Sequence, residues 1–188
     1  MFTYFEKLNR LFMEMEASDK NRKRVDISSA LKSSVELIKK TAGKGNKIMF
    51  IGNGGSASIS SHMAIDFWKN SGIKAVSFND SAQLTCLGND FGYEHVFEKP
   101  IEFFAETGDV LIAISSSGKS KNILKGVKAA RLKKCKVITM SGFSKNNPLR
   151  KMGYLNFYVP SDSYGFVEIA HGAICHLFAD YTYKKPNG

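Results

Sequence analysis

The sequence predicts an α/β protein in which a parallel sheet of about five strands lies between two layers of helices. Short apolar runs rich in β-branched and aromatic residues alternate with segments of helical periodicity over residues 44–182. Glycine- and serine-rich loops directly follow two of these runs, as expected at the carboxyl ends of parallel strands. No repeat, low-complexity tract or linker divides the 188 residues, so we expect a single domain (1–188) with a substantial core.

Two amphipathic helices are predicted ahead of the first strand, within residues 1–43. Residues 1–19 place apolar side chains such as Phe5, Leu8 and Phe12 at helical spacing, and residues 26–41 repeat the pattern. One small sheet cannot cover both helices, so these helices predict an oligomer interface. At the other end of the chain, residues 183–188 are expected to form a polar, mobile tail.

The elements of the core follow from the same patterns. Strands are predicted at 48–51, 74–78, 109–114, 136–140 and 155–159. Helices are predicted at 57–69, 80–87, 96–104, 120–134, 147–152 and 164–181. Ser56 is the predicted N-cap of the helix after the first strand, and residues 88–93 are predicted to form a loop.

The first strand ends in the loop Gly52-Asn53-Gly54-Gly55-Ser56, which leads into a helix. Backbone N–H groups and the positive end of the helix dipole then point at one spot, an arrangement that suits a phosphate group. The alternative interpretation is an ordinary turn, in which the glycines only allow the backbone conformation and bind no ligand.

A second loop of the same kind, Ser115-Ser116-Ser117-Gly118-Lys119-Ser120, follows the strand at 109–114. Its hydroxyl groups, its glycine and the following helix N-terminus form a predicted phosphate cradle. Neither loop has the spacing of a Walker A motif, and no convincing acidic residue for a ribose follows the first loop. A small phosphorylated ligand is therefore favoured over a dinucleotide.

Charge and cysteine content narrow the classes of function. The formal net charge of +10 permits nucleic acid, an acidic partner or anionic small molecules. Because aromatic residues do not interleave with the short basic runs, a solvated surface is favoured over nucleic-acid binding. No apolar run approaches the roughly 20 residues that cross a bilayer. Cys86, Cys135 and Cys175 lie far apart among apolar residues, which predicts buried free thiols and a cytoplasmic protein.

Five segments occur in a fixed order and carry a resemblance to a known family. They are Gly52–Ser56, Gly88–Tyr93, Gly108–Ile112, Ile114–Gly118 and Val159–Ser161. Together they resemble the sugar isomerase (SIS) domain, which has a flavodoxin-like fold, and within it the phosphoheptose isomerase family. The resemblance covers about residues 30–180. It implies an aldose–ketose isomerase, most simply one that converts sedoheptulose 7-phosphate to D-glycero-D-manno-heptose 7-phosphate, and a homotetramer with shared active sites.

The same resemblance implies roles for particular residues. Positions that bind the sugar phosphate are Asn53, Gly54, Gly55, Ser56, Asp66, Asn89, Asp90, Ser115, Ser116, Ser117, Ser120 and Glu168. The positions of a zinc site are His62, Asp66, Glu168 and His176. Asp66 and His176 stand where the family has its base and its acid, so they are the catalytic candidates.

Two of the four metal-site positions depart from the family. Asp66 replaces a glutamate, which shortens the reach by on the order of 1 Å, and Glu168 replaces a glutamine, which adds a negative charge. Glu168 and His176 lie about 12 Å apart along one helix. We therefore expect either that the Glu168 side chain reaches down to the metal or that subunits share the site.

The remaining polar groups receive structural interpretations. His171, on the same predicted helix as His176, is interpreted as a structural group or as support for a metal ligand. His95 is interpreted as a surface residue at a helix start, and Glu98 and Glu102 as a charged helix face.

A non-catalytic SIS-domain tetramer is the alternative function. Relatives of this kind bind a sugar phosphate or a protein partner such as a replication initiator. The altered Asp66 and Glu168 and the basic charge leave this alternative open. The presence of His62 and His176 favours catalysis because neither histidine is needed merely to fold. No helix-turn-helix segment is visible, which disfavours a DNA-binding regulator.

Overall fold

The computed structural model describes residues 2–183, and these form one mixed sheet of seven strands with helices on both faces. The strands are β1 Glu16–Asp19, β2 Arg24–Val25, β3 Ile48–Ile51, β4 Ala75–Ser77, β5 Val110–Ser115, β6 Lys136–Ser141 and β7 Leu155–Tyr158. The helices are α1 Phe2–Glu14, α2 Ile27–Gly43, α3 Gly55–Ser71, α4 Ser81–Phe91, α5 Glu98–Phe104, α6 Lys121–Leu132 and α7 Tyr164–Thr182. Two short 3₁₀ turns cover Tyr93–His95 and Leu149–Lys151.

The strand order is β2-β1-β7-β6-β5-β3-β4, and the run from β7 to β4 is parallel throughout. This confirms the predicted α/β class and the parallel sheet of about five strands. After β3, the chain adds β4 on one side and then crosses to add β5 on the other side. The carboxyl ends of β3 and β5 therefore border a crevice at a topological switch point, the place where such sheets bind ligands.

The parallel strands are buried on both faces. Alternate residues of β3 illustrate the arrangement: Ile48 and Phe50 pack in a cluster with α2, α3 and α7. Met49 and Ile51 pack on the opposite face with α5 and α6. All four side chains are fully buried, which explains why their continuous apolar run predicts a strand of a parallel sheet.

The N-terminal region corrects the prediction of a helix over residues 1–19 and of an entirely helical 1–43 region. Helix α1 ends at Glu14, and Glu16–Asp19 form a strand that pairs antiparallel with β7. The Asp19 carboxylate accepts backbone N–H groups from Asn21 and Lys23, and this tight turn leads into β2. The polar sequence of β1 lacks an apolar alternation, so its pairing depends on the distant β7.

Smaller corrections concern helix ends. Gly54, not Ser56, is the N-cap of α3, and Ser56 lies buried in its first turn. Helix α4 continues through the predicted loop at 88–93 as far as Phe91. None of the helices in residues 2–183 combines the length and the apolar character that spanning a membrane requires. The predicted tail lies outside the described residues from position 184 onward.

The prediction of three buried thiols is wrong for one cysteine. Cys135 and Cys175 are buried, whereas Cys86 is exposed on α4. Its thiol donates a hydrogen bond to the Asp90 carboxylate over 3.5 Å, and this bond raises the pKa of the Cys86 thiol. The apolar neighbours of Cys86 in sequence face the core, but the helix turns the cysteine itself to the surface.

Candidate active site

The loops after β3 and β5 line one cavity of about 260 Å³ at the switch point. Ten residues surround it: Asn53, Gly54, Gly55, Ser56, Ser115, Ser116, Ser117, Ser120, Tyr164 and Glu168. Nine of them are residues for which the sequence predicted sugar-phosphate binding. The helix N-termini of α3 and α6 meet this cavity, so backbone N–H groups and two dipole ends favour an anion there.

Glycine is required at two positions of the first loop. A Cβ atom on Gly52 would lie 2.8 Å from the Ser56 side chain and closer still to its backbone, so a side chain there would displace the first turn of α3. A Cβ atom on Gly55 would meet the Glu168 carboxylate. The absence of a side chain at Gly55 therefore lets the Glu168 carboxylate approach the positive end of α3.

The serine loop is held by its own hydrogen bonds. Ser115 Oγ accepts the Gly118 N–H over 3.2 Å and lies 3.4 Å from Ser120 Oγ. Gly118 adopts a φ of 62°, which a residue with a side chain rarely adopts. Ser116 Oγ is buried without a hydrogen-bond partner in the described chain. A buried hydroxyl that lacks a partner at a cavity wall is suited to bind a polar ligand.

A carboxylate lies between two imidazoles a short way along α3 and α7. Asp66 Oδ2 lies 3.3 Å from His62 Nε2 and 3.8 Å from His176 Nδ1. The two imidazole rings are 5.4 Å apart between centroids. The three groups each offer a ligand atom within 4.8 Å of the others, so the structure brings together three of the four predicted metal ligands.

Glu168 is the predicted ligand that this cluster does not contain. Its carboxylate lies in the cavity beside Gly55, while His176 is eight residues further along α7. Eight residues of helix span about 12 Å, so Glu168 and His176 project from different turns of α7. Glu168 is not part of the trio in the described chain, and its role as a metal ligand stays a prediction. The His62 and His176 side chains are 59% and 51% exposed, so a neighbouring subunit has access to them.

Two predicted substrate-binding residues lie elsewhere in this chain. Asn89 and Asp90 belong to the exposed surface of α4 and do not line the cavity. Asn89 donates to the Asp90 carboxylate over 2.9 Å. Both residues lie in the last turn of α4, where the sequence predicted a loop, and their binding role remains a prediction.

His95 is more than the surface residue that the sequence suggested. Its Nδ1 contacts the Glu98 carboxylate, and its Nε2 lies 3.1 Å from Lys125 Nζ of α6. The Glu98 side chain therefore pairs with His95 and is not simply part of a solvated charged face. Glu102 forms an ion pair with Lys99 on the surface of α5, as a charged helix face predicts.

Sequence reasoning missed three residues at the cavity. Tyr164 begins α7 and lines the cavity wall. Tyr93 and Asn122 both hydrogen-bond to Asn53, which is itself a lining residue. Asn122 lies two residues after the serine loop, in the first turn of α6, and this position beside the predicted phosphate cradle is the signal that the sequence contains.

His171 is completely buried in α7, and neither of its ring nitrogens makes a hydrogen bond of ordinary geometry in the described chain. The Ser141 backbone lies close enough to oppose, weakly, the effect of burial on its pKa. Burial disfavours the charged imidazolium and lowers the pKa of His171 to about 4. The ring is therefore neutral over the physiological range, which agrees with the structural interpretation.

We expect His171 to make folding stability depend on pH. The unfolded chain binds the proton with the ordinary pKa of 6.5 and the folded chain with one of about 4. Stability is therefore complete above pH 6.5 and falls as the pH drops toward 4, by about 2 kcal/mol at pH 5. Urea unfolding of the wild type and of His171→Leu at pH 5 and pH 8 measures this. A loss on acidification that is equal in both proteins would contradict it.

The chain is similar to known proteins along most of its length. Residues 3–142 match the family model described as the SIS domain. A phosphoheptose isomerase of Helicobacter pylori is 37% identical over 82% of this chain and 83% of that protein. One from Thermodesulfovibrio yellowstonii is 32% identical over 92% of this chain and 96% of that protein.

The fold is also similar to that of a solved structure. That of a phosphoheptose isomerase from Francisella tularensis superposes with a TM-score of 0.83 at 26% identity, over 96% of this chain and 94% of that chain. The fold, the cavity at the switch point and the family match define an SIS domain. The chain belongs to the SIS-domain family, in its phosphoheptose isomerase branch. The resemblance seen in the sequence is thereby confirmed.

Proposed function

We propose that this protein is an aldose–ketose isomerase that converts sedoheptulose 7-phosphate to D-glycero-D-manno-heptose 7-phosphate. The observation that carries the proposal is the placement of the Asp66 carboxylate between the imidazoles of His62 and His176 in one chain. Membership of the phosphoheptose isomerases supports the reaction class. A purely binding role is not favoured because it would not require this trio of acid–base groups.

The proposed reaction moves a proton between two neighbouring carbons through an enediolate. A base removes the proton from the carbon beside the carbonyl, and an acid protonates the carbonyl oxygen that gains negative charge. The hydroxyl of the first carbon then gives up its proton and becomes the new carbonyl, while the base returns its proton to the former carbonyl carbon. We assign Asp66 as the base and His176 as the acid. The Asp66 carboxylate is mostly buried, and its Oδ2 atom lies near both His62 and His176, so its orientation is restrained before substrate binds.

The three groups also fit a zinc ion. Two imidazole nitrogens and one carboxylate oxygen within 4.8 Å of one another are a donor set that zinc prefers at catalytic sites. His62, Asp66 and His176 would hold the metal, which when bound supplies Lewis-acid polarisation of the sugar carbonyl. Glu168 lines the cavity, where its carboxylate would face the substrate.

The cavity residues would bind and orient the open-chain sugar phosphate. Ser116, Ser117 and Ser120 offer hydroxyl donors beside the N-terminus of α6, which suits the phosphate group. Asn53 and the backbone of the first loop offer donors to the sugar hydroxyls. Many short polar groups in one crevice suit a linear, polyhydroxylated ligand.

Replacing Glu168 by glutamine is expected to tighten sugar-phosphate binding roughly fivefold to tenfold. The change removes a negative charge from the cavity that takes the dianionic phosphate while keeping the shape of the side chain. Titration calorimetry with sedoheptulose 7-phosphate measures the change, and Glu102→Gln on the distant face of α5 is the matched control. Weaker binding would show that the charged carboxylate holds a sugar hydroxyl instead.

A homotetramer with shared sites is part of the proposal. Phe2, Phe5 and Met13 leave the apolar stripe of α1 exposed, and Trp68 of α3 is half exposed. A neighbouring subunit over these helices would cover the apolar surface and shield the two half-exposed imidazoles from water. We also infer a cytoplasmic location, which the three free cysteines support.

A direct assay tests the function. Purified protein with added zinc is given sedoheptulose 7-phosphate, and NMR follows the aldose product. The expected result is conversion to the heptose 7-phosphate. A folded protein that produces no aldose would contradict the proposal and favour a binding role.

A further inference from the structure

The Asn53 side chain, which lines the cavity, forms a reciprocal pair of amide hydrogen bonds with Asn122 of α6. Asn53 Nδ2 donates to Asn122 Oδ1 over 3.0 Å, and Asn122 Nδ2 donates to Asn53 Oδ1 over 2.8 Å. The Tyr93 hydroxyl donates to the same Asn53 Oδ1 over 3.2 Å. Asn122 is buried, so water competes weakly for these bonds.

The backbone of α6 sets the direction of this amide pair. The Ile123 N–H lies in the first turn of the helix, where N–H groups lack a helical partner, and it donates to Asn122 Oδ1 over 2.9 Å. An N–H group can only donate, so the oxygen of Asn122 must face it and the Asn122 amide nitrogen must face Asn53. Asn53 Oδ1 then receives two donors, while one hydrogen of Asn53 Nδ2 remains outside the pair.

The residues that follow Tyr93 in sequence, Glu94 and His95, contact the same helix. Lys125, one turn after Asn122 on α6, lies 3.3 Å from the Glu94 carboxylate and 3.1 Å from His95 Nε2. These contacts tie the 3₁₀ turn to α6, and both elements present a group to Asn53. The cavity wall at Asn53 is held from two sides.

We propose that Asn122 and Tyr93 are positioning residues that hold the Asn53 amide with its spare Nδ2 hydrogen directed into the cavity. This hydrogen donates to a hydroxyl oxygen of the sugar chain of the bound sugar phosphate. The inference rests on the proposed function, since it requires a polyhydroxylated ligand in this cavity. A rotated Asn53 amide would present its carbonyl oxygen to the ligand and lose that donor.

A double-mutant cycle tests whether Asn122 acts through Asn53. The probe is the heptitol phosphate made by reducing the carbonyl of sedoheptulose 7-phosphate, which cannot isomerise, and its Kd is measured by titration calorimetry. Asn53→Ala and Asn122→Ala are each expected to weaken binding about tenfold, the effect of one hydrogen bond to a ligand. The double variant is expected to bind no more weakly than Asn53→Ala. The affinity of these variants for inorganic phosphate should not change. The control variant Asn146→Ala, at an exposed position, should bind the heptitol phosphate like the wild type.

Three outcomes overturn the inference. They are losses that add in the double variant, an Asn122→Ala protein that binds like the wild type, and an equal loss of affinity for inorganic phosphate. If Asn122→Ala does not fold, Tyr93→Phe replaces it, because this change removes only a hydroxyl from an exposed side chain. It is expected to weaken binding about threefold, with no further effect on Asn53→Ala, and unchanged affinity overturns the inference. A wild-type protein that does not bind the heptitol phosphate would instead refute the proposed function.

Discussion

Replacing Asp66 by asparagine is expected to lower kcat by about a thousandfold, within the range that a general base contributes. The change keeps the shape of the side chain but removes the charge that lies 3.3 Å from His62 Nε2 and 3.8 Å from His176 Nδ1. The variant therefore lacks both the proposed base and the carboxylate that would bind zinc, because Asp66 supplies both. Steady-state kinetics with sedoheptulose 7-phosphate and the zinc content of the purified variant measure the two consequences.

Two further variants make the result specific. Asp66→Glu restores the residue type that the resemblance implies and is expected to keep kcat within about tenfold of the wild type. Asp180→Asn changes an exposed aspartate on α7 outside the trio and should have no effect on kcat. His176→Ala should also abolish turnover. Full activity in Asp66→Asn or in His176→Ala would remove that residue from the mechanism.

The double variant Ser117→Ala with Ser120→Ala is expected to weaken sugar-phosphate binding about a hundredfold while leaving the zinc content unchanged. Each serine supplies a hydroxyl to the cavity, and a hydrogen bond to a charged group contributes about 1.5–3 kcal/mol. The metal trio is built from α3 and α7, so the serine loop should not influence it. Titration calorimetry and metal analysis give the two readouts.

The matched control for the serine loop lies at the start of α2. Ser28→Ala with Ser29→Ala removes two exposed hydroxyls away from the cavity and should leave binding unchanged. Loss of metal together with sugar binding in the Ser117 and Ser120 variant would contradict the separation of phosphate binding from the acid–base trio.

Most of the fold followed from local patterns because the parallel strands are buried on both faces. The continuous apolar runs at β3 and β5 leave little alternative to a central strand. The antiparallel edge did not follow, because Glu16–Asp19 has no apolar alternation and becomes a strand by pairing with β7 far along the chain. Glu16 is held there by Arg150 and Lys145, contacts that no local pattern reveals.

The candidate site was predictable where it depends on strand ends and helix spacing. Two loops after neighbouring strands had to meet, and His62 and Asp66 had to share a face of α3. The approach of His176 to Asp66 depends on how α7 packs on α3, which no local pattern shows. Only the family resemblance predicted that these two residues belong to one site. The amide pair of Asn53 and Asn122 joins residues 69 positions apart, so no spacing rule could find it.

The most direct test of the account is a crystal structure of the zinc-loaded protein with the heptitol phosphate bound. We expect the phosphate at the serine loop, the first two sugar carbons beside Asp66 and His176, and neighbouring subunits closing over the site. Phosphate bound away from the serine loop, or first carbons far from both side chains in every subunit arrangement, would contradict it.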